Sequence, residues 1–169
     1  MGTRSRIGVM HGDVCKSVYC HWDGYLDHNG RILQEHYDSA RANHLVALGD
    51  ISSLGTMIGD AHPFSKFEIN NESPDFAKLM AMHEQAEKEG WTTFYGRDRG
   101  EQGVDFASDL TFADFLARAK GCGAEFYYIM RDGVWYVGDT YGTTAMSGQL
   151  VPLADALTPV AKTWETVDL

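Results

Sequence analysis

The sequence predicts an α+β fold in one globular domain, residues 1–169: a mostly antiparallel sheet with hairpins near both ends, packed by several helices. Three observations predict it. Residues 6–10 and 14–22 are strand-like and meet at Gly12-Asp13; residues 125–137 place aromatic-rich segments on either side of Asp132-Gly133; and apolar residues recur at helical spacing between these two segments.

In the first hairpin, Val18, Cys20 and Trp22 share one strand face and Ser17, Tyr19 and His21 the other. Both faces carry bulk, so both are expected to be covered. A loop from Asp23 ends near Asn29, and Ile32, Leu33, His36 and Tyr37 then fall on one side of a helix. Asp38-Ser39 breaks it and caps a second helix over 39–48, with Ala42, Leu45 and Val46 inward and Gly49 at the terminating position.

Residues 49–72, rich in Gly, Ser, Asn and Asp with one Pro, predict an irregular excursion. Ser73-Pro74-Asp75 predicts a helix start, and the helix runs to Glu89 with Phe76, Leu79, Met80, His83 and Ala86 as its buried stripe. Residues 91–95 have the composition of a strand. Thr111 with Asp114 approximates a capping box for a helix presenting Phe112, Phe115, Leu116 and Ala119 inward. Asp132-Gly133 suits a type I′ turn, and Pro152 and Pro159 bracket a short terminal helix.

The chain has 24 acidic and 14 basic residues, a formal charge of −10, which disfavours a phosphate-binding surface and so nucleic acid as a direct partner. The acids form no run, and solubility accounts for the excess. No window reaches the roughly 18 apolar residues of a membrane helix, and no leader-like stretch opens the sequence; the expectation is a cytoplasmic protein without a membrane partner. Three cysteines without a CxxC pair suggest reduced structural thiols.

Two clusters are candidates for chemistry. In Cys20-His21-Trp22-Asp23-Gly24-Tyr25, followed by His28 and His36, imidazole and carboxylate together can move a proton or ligate a metal; His21, Asp23 and His28 are the candidate ligands. The competing reading is a strand-end turn whose His21, Trp22, Asp23 and Tyr25 contact a partner. In the charged loop, Arg97 and Arg99 can grip a phosphate or carboxylate, unless Asp98 and Glu101 neutralise them. The aromatics of 126–136 read as cross-strand packing, because base stacking would need a basic surround. Neither a G-x-S-x-G nucleophile elbow nor a Walker or Rossmann glycine pattern is present, and no cofactor is implied.

Four segments, residues 1–5, 19–25 (Tyr-Cys-His-Trp-Asp-Gly-Tyr), 48–55 and 94–101, together resemble an uncharacterised family of small proteins of tailed bacteriophages and prophages. Leu26 stands where that family's pattern places a proline. The resemblance implies a viral accessory protein in the cytoplasm of an infected bacterium and supplies no catalytic residue. The expected function is therefore non-enzymatic: binding and modulating a host protein, with counter-defence as its purpose. The alternatives are a binder of a small anionic ligand such as a nucleotide signal, and, third, a metal-dependent hydrolase.

Overall fold

The computed structural model describes residues 2–142 and 150–157. Its strands are β1 (Ser5–His11), β2 (Val14–Cys20), β3 (Ile51–Ser53), β4 (Thr93–Phe94), β5 (Ala107–Asp109), β6 (Phe126–Arg131), β7 (Val134–Asp139) and β8 (Val151–Pro152). The helices are α1 (Arg31–His36), α2 (Ser39–Ala47), α3 (Phe76–Glu89), α4 (Phe112–Gly121) and α5 (Leu153–Leu157). The fold is α+β, as the patterning predicts.

Both hairpins form and lie in one sheet. Gly12, at φ 62°, closes β1 onto β2. Asp132 and Gly133, at φ 51° and 80°, supply the two positive angles that a type I′ turn between β6 and β7 requires. The sheet order is β4-β3-β2-β1-β6-β7-β8, with β5 pairing the outer side of β2. The hairpins join through β1 and β6, which run parallel, and β2 also meets β3 in parallel, so the mostly antiparallel sheet is mixed.

Strand alternation sends side chains to both faces. Ile7, Val9, Val18, Cys20, Tyr128, Met130, Trp135 and Val137 form the larger core with Leu33 of α1, Leu45 and Val46 of α2 and Leu153 of α5. On the opposite face Cys15, Tyr127 and Ile129 pack against Phe115 of α4. Tyr127 is paired with Gly138 across the strands, and its ring lies so close over that glycine that any Cβ there would collide with it. The rings of Tyr127, Tyr128 and Trp135 are thus internal, which is the cross-strand packing expected of them.

Helix caps follow the sequence. Asp38 accepts the Arg41 N–H at 2.9 Å, Thr111 Oγ1 accepts the Asp114 N–H at 3.1 Å, and Gly49 ends α2 at φ 91°.

The structure also departs from the sequence reading. The 49–72 excursion contains β3. A π-helical turn over Leu26–Gly30 runs straight into α1. Helix α3 starts at Phe76; Asp75 is its N-cap, and Ser73 Oγ instead accepts the Asp75 N–H. Of the five residues expected to be buried on α3, Ala86 alone is; the others are half-buried, because the helix packs on the loop before it and not on the sheet. Pro159 lies outside the described residues. No described helix is long and apolar enough to cross a membrane.

Cys15 and Cys20 are buried and free; burial pushes their thiols up to about 12 and about 11, while Cys122 is partly exposed. Iodoacetamide at about pH 8 is expected to label Cys122 in the native protein and the other two only after unfolding, because the thiolate is the reacting species. Mass spectrometry showing equal native labelling of all three would contradict this packing.

Candidate functional site

The first candidate cluster sits on a turn that leaves the sheet at the end of β2. His21 and Trp22 still donate their N–H groups to Ile51 and Ser52 carbonyls of β3, at 3.0 and 3.1 Å. Asp23 then takes φ 57°, and the chain turns away. The turn is tied down by the Gly24 N–H on the Thr3 carbonyl (2.7 Å) and by the Tyr128 hydroxyl on the Gly24 carbonyl (2.6 Å).

Fully buried Asn29 is the hub of this turn. Its Nδ2 lies 3.3 Å from Ser5 Oγ, Cys20 Sγ and the Trp22 carbonyl, and its Oδ1 lies 2.9 Å from His28 Nδ1. An amide can donate and accept at once, which lets one side chain bridge the strand ends and the turn. The sequence marks Asn29 only as the end of a loop.

The charged loop has a different role from the one its composition suggests. The Asp98 carboxylate is fully buried and accepts the Phe94 N–H (2.8 Å), the His62 N–H (3.1 Å) and the Arg97 guanidinium (3.0 and 3.2 Å). Arg97 also donates to the carbonyls of Ile58, Gly59 and Thr92 and lies over the Phe94 ring. The pair therefore pins the 54–69 segment to β4. Arg99 pairs with Glu101 at 3.5 Å, both half-exposed, and stacks on Phe64.

Between the 21–30 turn, the pinned segment and the second half of α3 lies an open groove of about 560 Å³, with Asp23, His28, Phe64, Phe67, His83 and Trp91 in its walls. His62 is buried beneath it. Its Nδ1 lies 2.7 Å from the Asp60 carbonyl, which can only accept and so takes an N–H from the ring, and its Nε2 lies 3.1 Å from the Thr93 hydroxyl. His83 Nε2 meets Glu87 Oε1 at 3.1 Å on the α3 wall. Phe67, at the lip, is 88% exposed.

The predicted residues do not converge. Asp23 and His28 face the groove, with the Tyr25 ring 6.0 Å from that of His28. His21 and Trp22 line a second hollow, and Arg97 and Asp98 border a third. His36 is on the surface beside Glu35. His21 and Asp23 would share a face only if the strand continued, and the positive φ of Asp23 prevents that. Among the described residues no three His, Cys, Asp or Glu side chains are grouped so as to hold a metal ion.

No family model, no curated protein and no solved structure matches this chain. The reading of the site therefore rests on its own geometry. The groove offers an apolar lip, the imidazoles of His28 and His83, of which His83 Nδ1 is buried without a hydrogen-bond partner among the described residues, and acids at either side.

Proposed function

We propose that this protein is a non-enzymatic binder that seats a segment of another protein in the 560 Å³ groove, and that the partner is a host factor, a defence component of the infected bacterium, modulated by this contact. The phage-family resemblance supports the viral setting. The observation that carries the binding is Phe67: a phenyl ring 88% exposed at the lip of a concave surface is the kind of side chain that anchors an interface. Asp23 and Glu87 in the walls, with the chain's charge of −10, favour a segment that combines an apolar anchor with basic neighbours. Of the three candidate metal ligands Asp23 and His28 face the groove while His21 lines another hollow, and a hydrolase centred on them is not proposed.

The test compares wild type with Phe67→Ser in cross-linking capture from a bacterial lysate. A partner recovered by wild type is expected to lose about tenfold or more in yield with the variant, as for an anchor worth about 2 kcal/mol. The unfolding midpoint should hold, because the ring is outside the core. Equal capture by both proteins, or no capture by either, would refute the reading.

A further inference from the structure

The second hollow carries an inference independent of the groove. It holds about 310 Å³ and is walled by Gly2, Arg4, His21, Trp22, Gly123 and Glu125, where the start of β1, the end of β2 and the loop after α4 meet. We infer that it binds a small molecule in which a phosphate or carboxylate is joined to a planar ring bearing N–H donors, the chemistry of a nucleoside monophosphate.

The anion end falls to Arg4. The guanidiniums of Arg31, Arg97, Arg99 and Arg118 are each paired with a carboxylate, those of Arg6 and Arg41 donate to Ser17 and to the His36 carbonyl, and that of Arg131 lies over the Tyr136 ring. Among the described residues the Arg4 side chain has no ion pair and no hydrogen bond, although its backbone is fixed by the Glu125 N–H at 2.8 Å. Its stem crosses Gly123, where an added Cβ would stand 3.0 Å from Nη1; the glycine leaves the guanidinium its position. A forked cation held this way, with its donors unused, suits a phosphate or carboxylate.

His21 supplies a neutral donor beside it. Its Nδ1 is 2.6 Å from the Tyr19 hydroxyl, and burial, then the charge of Arg4, lower its affinity for a proton. In the tautomer where Nδ1 accepts from the Tyr19 hydroxyl, the proton sits on Nε2 and is free to donate. Trp22, 43% exposed and perpendicular to His21 at 4.5 Å, offers a ring for stacking. Glu125 is the acid in the wall. It repels a bare anion and accepts N–H groups, so it favours a ligand whose ring edge carries donors over inorganic phosphate. The volume is at the lower end of small-molecule sites, enough for one base, sugar and phosphate but not for a polymer.

This assignment moves the anion site away from the charged loop, whose arginines are spent on Asp98, Glu101 and backbone carbonyls. The experiment titrates ¹⁵N-labelled protein with adenosine 5′-monophosphate, adenosine and inorganic phosphate, following backbone and side-chain N–H resonances. The monophosphate is expected to saturate shifts at residues 2–4, 21–22 and 123–125, with adenosine and phosphate each about tenfold weaker or worse. Arg4→Gln should abolish the preference for the monophosphate over adenosine, and Trp22→Leu should weaken both. Arg99→Gln and Phe67→Ser should change neither, which separates this site from the groove. Each variant's unshifted resonances report whether it has folded. Absence of saturation, phosphate binding as tightly as the monophosphate, or full monophosphate binding by folded Arg4→Gln would overturn the inference.

Discussion

Arg97→Ala is expected to lower the unfolding free energy by about 3–5 kcal/mol, the cost of leaving a buried charge without its partner. The side chain of Asp98 is fully buried, and Arg97 approaches it at 3.0 Å, with His62 Nδ1 at 3.7 Å. Removing the guanidinium also strips donors from the carbonyls of Ile58, Gly59 and Thr92. Since those contacts hold the 54–69 segment against β4, the same variant should lose partner capture at the groove even where it remains folded. Arg97→Lys keeps the charge but not the fork, and should fall between the two. Urea unfolding measures the loss. A change below about 1 kcal/mol would mean that the loop is a solvated ion pair of the surface kind.

That pair also shows where reading the sequence runs out. Arg-Asp-Arg-Gly-Glu has the alternating charges of a solvated loop, and nothing local distinguishes Asp98, fully buried, from Glu101, half-exposed. The difference comes from residues 58–62, which are remote in sequence. Locally encoded features were legible: Asp132-Gly133 demands two positive φ angles, and Asp38 and Thr111 cap helices through bonds to their own third neighbour. Of the strands of two or three residues, β4 lies within the strand-like 91–95 segment, whereas β3, β5 and β8 are too short for any alternation and exist only through their partners. The parallel contact of β1 with β6 joins segments more than a hundred residues apart and leaves no periodic signal.

Periodicity correctly found that α3 has an apolar stripe but not what the stripe would meet. It packs on a loop, so Phe76, Leu79 and Met80 remain half-buried where a sheet would have covered them. The candidate site was legible in part. Asp23 and His28 reach the groove, while for Phe67 the available signal is its charged neighbours Lys66 and Glu68, which break any apolar stripe around it. Asn29 and His62 gave no signal, since their importance lies in which backbone groups they face.

The second large effect concerns the thinly covered face of the sheet. Phe115→Ala is expected to cost about 3–5 kcal/mol, the range for deleting a buried phenyl. Three arguments place it in the upper half. The ring is 1% exposed and meets Tyr127 edge-on at 5.6 Å, so a specific aromatic contact is lost together with the area. A hollow of about 120 Å³ already lies beside it, between Met10, Cys15 and Ile129, so the new void enlarges an existing one and the surroundings have less to collapse onto. Finally, the bidentate Arg118–Asp109 pair, at 2.9 and 3.0 Å, anchors α4 to β5 and keeps the helix from settling into the gap. Calorimetric unfolding gives the loss, and iodoacetamide gives its location: Cys15 borders the hollow and should begin to label in the native variant, while Cys20, on the opposite face, should stay protected. Labelling of both would show global loosening, whereas a loss under about 1.5 kcal/mol with Cys15 still shielded would show that α4 can re-seat and that Phe115 is not what closes this face.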